Sequence, residues 1–569
     1  MKDDEGPTVN DSEVVNDLYS TANTAVPAGF AGLPPAERFI SNLEINNDGL
    51  RTSRAIAIAE IVLIFAMFAL QGGWPAPDVN EPYYLGKAIH YWNPAWLHGD
   101  YFMESPDTHQ VFYFTFGWLS LLLSPDALAW TGRVLTWGLL AWAWRRLSVA
   151  VVPKPWCSVL TASLFAFMME NCHMAGEWVI GGVEAKGFAY ALVFFGLEAL
   201  VRNRWNRALV LFGAASAFHV LVGGWSFVAL GVAWLSRKLW AVVQKPTDVA
   251  AVCPTLWSLW PGVVVGLLLA LPGLIPSLLL DWNADPKIVH QAHKIYVFER
   301  LPHHLVLTGM KPEFILRLVL LWGFWVVLPW FAPTTENLRR LRAFVVGAVC
   351  IALVGAAINL LLYVDKAMAA DWLRYYWFRL TDVMIPLGVA LHVGFIIDAL
   401  WRKRPRMARL WLAAAMVVAL ANVGYQTIDR IYTLRPRSHK TADYEAWREA
   451  CDWIVESGKI PQDATFITPR MAMTFKWYTG RKEVANWKDL PQDAAGLVKW
   501  WERIDALYAT HDPPPNLRWH QALARRGEEP LRKLGQTYDA DYLIAERVEP
   551  LLDFEVVYKN RTYVIYRLR

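Results

Sequence analysis

Almost every long apolar stretch of this chain stops or starts at a cluster of lysine and arginine, and that punctuation constrains the fold more than any other feature. Residues 55–72 begin beside Arg51 and Arg54. Residues 127–144 end at Arg145-Arg146, residues 188–201 at 202–207, residues 313–331 at 337–342, and residues 379–400 at 402–409. Residues 156–170, 256–280, 343–363 and 410–425 run the opposite way. Apolar runs near twenty residues span the hydrocarbon core of a bilayer, and cytoplasmic loops collect positive charge. All the clusters therefore fall on one side, taken as the cytoplasm. The stretch 208–236 is basic at both ends, so we split it into two short crossings near Gly223-Gly224; a single long crossing would invert everything after it. Residues 110–123 stop at Ser124-Pro125-Asp126 and read as a short re-entrant or interfacial helix. About eleven crossings result, with the N-terminus cytoplasmic and the C-terminus outside.

Composition agrees. Hydrophobic residues make up 55% of 569, charged residues only 19%, and there are 31 tryptophans, a residue favoured at membrane interfaces. A net charge of +4 gives no reason to expect a nucleic-acid partner. The five cysteines form no CxxC, so neither a disulfide framework nor a zinc knuckle is expected. Residues 1–50 are polar and expected to be a disordered cytoplasmic segment. The first helix should be a retained anchor, because its apolar core lies too far along for a cleavable signal.

The predicted fold class is mainly α. A polytopic helical bundle over 51–437 carries large outer loops at 73–126, 171–187, 281–312 and 364–378, and a small extracytoplasmic α/β domain covers 438–569. In that tail, 443–456 has helical spacing. The segments 464–468, 541–546, 554–559 and 562–569 read as strands, with a hairpin at 559–561. No internal repeat or inverted pair of halves is visible, which disfavours a secondary transporter.

Ionisable residues concentrate in the outer loops. Asp78 and Glu81, just past the first helix, suit a general base or a cation-binding pair; ordinary solvated loop charge is the bland alternative. Glu177, Glu184 and Lys186 lie around a Gly-Gly turn and form either a ligand site or an ion pair within the loop. His290 and His293 share a helical face, and His303-His304 follow; four histidines suggest a metal site, against a simple interfacial role. Arg300 in the same loop is a phosphate-binding candidate, as are Arg374 and Arg379. Arg379 and Asp382 are one helical turn apart and are expected to pair. His219 is expected to be a satisfied core histidine. The stretch 470–489, with Arg470, Lys476, Arg481, Lys482 and Lys488, reads as a basic surface helix and turn or as a grip on an acceptor. Residues 90–100 read as an interfacial helix. Four polar clusters on one face, capped by a soluble domain, suit a substrate with a lipid tail and a polar head.

The acidic motif Asp78-Val-Asn-Glu81, the second acidic loop with Glu177 and Glu184, and the eleven-helix layout with an outer α/β domain resemble the GT-C superfamily of membrane glycosyltransferases. The strings EPYYLGKA, FHVLVGGW, RLPHHL, YYWFRLTD and FKWYTGRKEVANWKD are similar to a bacterial family of multi-pass membrane proteins that brings no known activity. The GT-C resemblance implies a polyprenyl-phosphate-linked sugar donor and inverting transfer outside the cytoplasm, in a bacterial inner membrane. It implies Asp78 as base and Glu81 as its assistant. Lys186 and Arg379 would neutralise the departing phosphate, and His303, His304, Arg300 and Arg374 would help bind the donor. Asp78, Glu81 and Glu184 are the candidate ligands of a divalent cation, Mg2+ or Mn2+. The implied partners are the bilayer, the lipid-linked donor and an unspecified acceptor. The outer loops carry no DxD (the one such triplet, Asp539-Ala540-Asp541, lies in the tail), and the tail lacks the WWD of oligosaccharyltransferases, so transfer to peptide sequons is not implied. A transporter, or a non-enzymatic membrane assembly protein, is the alternative.

Overall fold

The computed structural model describes residues 35–244, 252–510 and 518–569, with side chains from residue 53. The chain divides into two compact units, Met1–Ala59 and Glu60–Arg569, and all contacts described here are within the second. Of the segment expected to be disordered, residues 1–34 lie outside the described residues; from Pro35 the chain is helical.

The chain is a polytopic helical bundle followed by a small α/β domain. Its helices are α1 (Pro35–Gly72), α2 (Glu81–Trp92), α3 (Gln110–Phe116), α4 (Pro125–Val151), α5 (Cys157–Asn171), α6 (Ala185–Val201), α7 (Trp205–Phe218) and α8 (Val220–Gln244). There follow α9 (Leu256–Leu279), α10 (Pro286–Lys294), α11 (Pro312–Val327), α12 (Glu336–Asn359), α13 (Lys366–Leu373), α14 (Arg379–Lys403) and α15 (Pro405–Tyr432). Their starts follow ordinary capping: Ser124, Thr255 and Thr335 accept N–H bonds from the first turns of α4, α9 and α12. Seven of the described helices are long and apolar enough to cross a membrane: the segment Ser53–Gly72, α8, α9, α11, α12, α14 and α15. The four shorter or more polar helices α4 to α7 occupy the remaining segments expected to cross.

The polar ends of these helices sort themselves. Arg145 pairs with Glu60 (2.7 Å), Arg146 and Arg202 with Glu198 (3.0 and 2.7 Å), and Arg237 with Glu336 (2.6 Å), while Arg340 donates to the Val201 carbonyl. The basic ends therefore meet at one end of the bundle. These contacts also decide the stretch 208–236. The start of α7 lies by α9 through Asn206 and Ser258, and the end of α8 lies by Glu336, so α7 and α8 run antiparallel as two segments. The reversal is at His219, whose backbone is extended (φ −150°, ψ 101°), rather than at Gly223-Gly224. Gly223 instead sets how closely the two helices approach. A Cβ there would sit 2.2 Å from the Ser216 backbone nitrogen, so only glycine lets them touch.

Helix α14 is the centre of the bundle, buried from Leu380 through Ile396. Lipid-facing helices such as α9 instead leave Trp257, Leu267 and Leu268 exposed.

The tail forms α16 (Tyr444–Glu456), β1 (Thr465–Ile467), β2 (Lys482–Glu483), α17 (Ala494–Tyr508), α18 (Glu528–Thr537), β3 (Tyr542–Glu546), β4 (Glu555–Lys559) and β5 (Tyr563–Arg567). The sheet order is β2-β1-β3-β5-β4, with β1 parallel to both neighbours and β3-β5-β4 antiparallel. Strand alternation explains the two cores. Leu543, Ala545, Val564 and Tyr566 pack with α17, while Tyr542, Ile544, Tyr563 and Ile565 pack with α16. The four strands and the hairpin expected from the sequence form; β2, α17 and α18 were not anticipated.

The tail is locked to the first outer loop by a buried charge cluster. The Lys476 ammonium lies 3.3 Å from Asp100, 2.5 Å from Asp489 and 3.5 Å from Glu483. The stretch 470–489 is thus not a basic surface: its lysine at 476 is inside, surrounded by carboxylates. Nor are residues 90–100 one interfacial helix. α2 ends at Trp92, turns follow, and Asp100 points inward to accept the N–H groups of Phe102 and Met103.

Candidate functional site

At the end of the bundle opposite the basic clusters, residues from three outer segments meet. The rise of one helix sets the separation: Glu184 immediately precedes α6, and Glu198, among the arginines, is about 21 Å along it at 1.5 Å per residue.

The first segment is Trp74 to Glu81. Glu81 is fully buried and saturated. Its two oxygens take the Nε and a terminal nitrogen of Arg133 at 2.7 and 2.6 Å, the Asp78 N–H at 2.6 Å and the Val183 N–H at 2.9 Å. Arg133, on α4, also donates to the Trp74 carbonyl. Asp78 is buried as well, but forms no ion pair among the described residues; its oxygens accept the N–H groups of Val79 (2.8 Å) and Gly182 (2.9 Å). Gly182 must lack a side chain, since a Cβ would stand 2.7 Å from the Asp78 Cβ and 2.9 Å from a Glu81 oxygen.

The second segment, 171–187, supplies a ladder of alternating charge. Glu184 lies 3.3 Å from the Lys186 ammonium, Lys186 lies 3.6 Å from Glu177, and Glu177 lies 2.6 Å from Arg379. Asn80 donates to the other Glu184 oxygen at 3.1 Å and so joins the first segment to the ladder. Burial pushes the Glu184 carboxyl up, Lys186 pulls it down, and the net direction is upward. The Glu184 oxygen facing Lys186 accepts no hydrogen bond.

The third contribution comes from the start of α14. Arg379 lies over the Tyr376 ring and pairs with Glu177, not with Asp382. Asp382 is drawn instead to three backbone donors, the N–H groups of Met174, Ala175 and Glu177, at 2.8, 2.8 and 3.3 Å. It thereby fixes the backbone from which Glu177 extends.

Around the ladder stand cations that form no ion pair among the described residues. Arg300 donates to the Trp487 carbonyl (3.0 Å) and lies over the Trp487 ring. Lys488, half-buried and contributed by the tail, feels Arg300, Glu184 and Lys186; loss of hydration and those like charges lower its ammonium to about 7. Burial likewise lowers Arg300 to about 10. His304 bonds the Ala175 carbonyl through Nδ1, and the His303 ring is 4.0 Å from its own. Burial lowers both imidazoles, so they are neutral at pH 7. His219 reaches the same end of the bundle, its ring 5.6 Å from that of His109.

The expected site residues thus divide. Glu177, Glu184, Lys186 and Arg379 form one connected chain, joined to the first loop by Asn80. Arg300, His303 and His304 border it. Arg374 is separate: it bonds the Tyr375 hydroxyl (2.7 Å) and faces His293. As for a divalent cation, Glu81 has its oxygens taken by Arg133 and two N–H groups, and Glu184 faces an ammonium. A cation held by Asp78, Glu81 and Glu184 would have to displace both. A cavity of about 520 Å³ lies apart from the ladder, between the first loop and the tail, lined by Tyr101, Glu104, Lys482, Asp493, Arg503 and Tyr538 among others.

Two contributors escaped the sequence reading. Arg133 carried a signal, an arginine inside an otherwise apolar helix. Asn80 carried none, because only the fold brings it to Glu184. Lys488 was read only as one of the basic residues of 470–489, and its place near Glu184 and Arg300 comes from the fold.

A family model described as a domain of unknown function (DUF6798) matches residues 445–507. No curated protein matches the chain. Among solved structures, the oligosaccharyltransferase of Archaeoglobus fulgidus, in a complex with Zn and sulfate, is 12% identical over 86% of this chain and 67% of that one, with a TM-score of 0.40. ArnT from Cupriavidus metallidurans bound to undecaprenyl phosphate is 13% identical over 91% of this chain and 98% of that one, with a TM-score of 0.36. The likeness is distant and carries no argument about activity.

Proposed function

We propose that the chain is a membrane glycosyltransferase. It takes a sugar from a polyprenyl-phosphate donor at the extracytoplasmic face of a bacterial inner membrane and transfers it with inversion to an acceptor hydroxyl. The N-terminus is cytoplasmic in this reading, and the tail is outside. The observation that carries it is the buried ladder Glu184–Lys186–Glu177–Arg379, flanked by Arg300 and Lys488. Buried charge in alternating order is costly to assemble, and an uncompensated surplus of cations beside it suits a phosphate.

The chemistry needs few parts. A carboxylate removes the acceptor hydroxyl proton as the oxygen attacks the anomeric carbon; the bond from that carbon to the phosphate oxygen breaks, and polyprenyl phosphate departs. Negative charge grows on the leaving oxygens, where fixed cations stabilise it most. Asp78 is the first candidate for the base, because it is buried, forms no ion pair, and is aimed by two N–H groups. Glu184 is the second, favoured by its raised pKa and by having only the Asn80 amide and the Lys186 ammonium on its two oxygens. Glu81 acts through Arg133 to hold the loop. No step is assigned to a divalent cation.

The test is release of polyprenyl phosphate from polyprenyl-phosphate sugars by the protein in nanodiscs. Asp78→Asn and Glu184→Gln separate the two bases: the one that removes the proton should lose about 10²–10⁴-fold in rate. Wild-type release that neither substitution changes would sink the proposal.

A further inference from the structure

Among the described residues, one cluster of metal-ligating side chains stands outside the ladder. On α10, His290 and His293 are i,i+3 and present their Nδ1 atoms on one face. Opposite them, on α13, is Asp371. His290 Nδ1 is 3.1 Å from one Asp371 oxygen and 2.9 Å from the other; His293 Nδ1 is 2.6 Å from the first. One ligand atom from each of the three lies within 4.8 Å of the others. His303 and His304 take no part, so the four histidines of this loop divide into a pair beside the ladder and a pair here.

We propose that His290, His293 and Asp371 bind a divalent transition metal of the Zn2+ class, which clamps α10 to α13. Two imidazoles and one carboxylate are a ligand set for Zn2+ or Co2+, whereas Mg2+ and Ca2+ prefer oxygen alone. The dimensions suit it. Ligand atoms about 2.1 Å from a tetrahedral ion are about 3.4 Å apart, so the two imidazole–carboxylate separations need open by only a few tenths of an ångström to nearly one. An ion would take the place of the two imidazole–carboxylate hydrogen bonds, with both Nδ1 atoms free of their protons. Access is open on one side: the His290 side chain is 55% exposed, while that of His293 is 10% exposed, leaving room for water in a fourth position. Asp281 adds negative charge near His293, and Arg374 opposes it.

The place of the clamp gives it a consequence. α10 leads directly to Tyr296 and Arg300, and α13 leads to Tyr376 and Arg379; the Tyr296 and Tyr376 hydroxyls bond each other at 2.9 Å. α10 also packs its Ile288 and Val289 into the core of the tail domain. A metal at this point would hold together the two outer segments that deliver Arg300 and Arg379, whatever reaction those arginines serve.

The test uses the purified full chain, freed of any polyhistidine tag, in nanodiscs and stripped with a chelator. Titrated with Co2+, the wild type should take up one equivalent with the visible absorption of a nitrogen- and oxygen-ligated tetrahedral ion, and Zn2+ should displace it. His290→Ala and Asp371→Asn should each weaken binding more than about tenfold. Zn2+ should raise the melting temperature of the wild type and leave that of both variants unchanged. His290 is half-exposed, so its variant should keep the wild-type melting temperature in the absence of metal and report on ligation alone. Equal Co2+ uptake by wild type and both variants would overturn the proposal, as would wild-type protein that takes up none.

Discussion

Two buried acid–base pairs lie on either side of Asn80, and they are built to opposite rules. Glu81 meets Arg133 in a bidentate pair, with two backbone N–H groups on the same carboxylate. Glu184 meets Lys186 through one ammonium at 3.3 Å, accepts a single hydrogen bond, from Asn80, on its other oxygen, and has its pKa raised by burial. A carboxylate whose lone pairs are all taken is fixed in charge and position. One that is under-coordinated can exchange a proton. Both were legible in the sequence as acidic residues of outer loops, yet their surroundings differ: the first is fully paired, and the second keeps the freedom that the proposed proton transfer needs.

That contrast breaks most visibly at Glu81. Glu81→Gln leaves the Arg133 guanidinium buried beside a neutral amide, and loss of one partner of a buried pair costs about 3–5 kcal/mol. Thermal melting in detergent should fall steeply, and any loss of activity should track loss of folded protein. Glu184→Gln should do the reverse. Its melting temperature should remain close to that of the wild type, while sugar transfer falls about 10²–10⁴-fold if Glu184 removes the proton. If both variants unfold alike, or both retain activity, the distinction between the two pairs fails.

The sequence revealed the bundle because hydrophobic length and basic punctuation are local properties, readable without knowing which helix touches which. The strands β3 and β5 were readable for the same reason, since Tyr542 to Glu546 and Tyr563 to Arg567 carry a pattern that the sheet enforces at every second residue. The partners of charged residues are not local. Helical spacing paired Arg379 with Asp382, yet Arg379 chose Glu177, because Asp382 found three backbone N–H groups on a loop about 200 residues earlier in the chain. Lys476 and Lys488 looked alike in a basic stretch; the fold sets the first among three carboxylates and the second among cations. The difference appears in their acidities. Carboxylate neighbours raise Lys476 despite its burial, while lost hydration and Arg300 bring Lys488 down.

Lys488 sharpens the contrast by the smallest and most specific effect. Its ammonium titrates at about 7 in the folded chain, against an ordinary 10.5. Between those values the unfolded chain binds a proton that the folded chain does not, so this residue makes stability rise with pH across that window and adds no slope below it. Donor binding should have the opposite sign. As pH rises through 7, the charge that attracts phosphate disappears, and KM for a polyprenyl-phosphate sugar should rise by up to about tenfold, the value of one charge-assisted hydrogen bond at a half-buried position. Lys488→Arg, which keeps its charge, should flatten that rise. Lys488→Met should give the high KM at every pH and remove the rise in stability between about 7 and 10.5. Measurement of KM from pH 6 to 9 in the three proteins distinguishes a tail that supplies part of the site from one that only covers it.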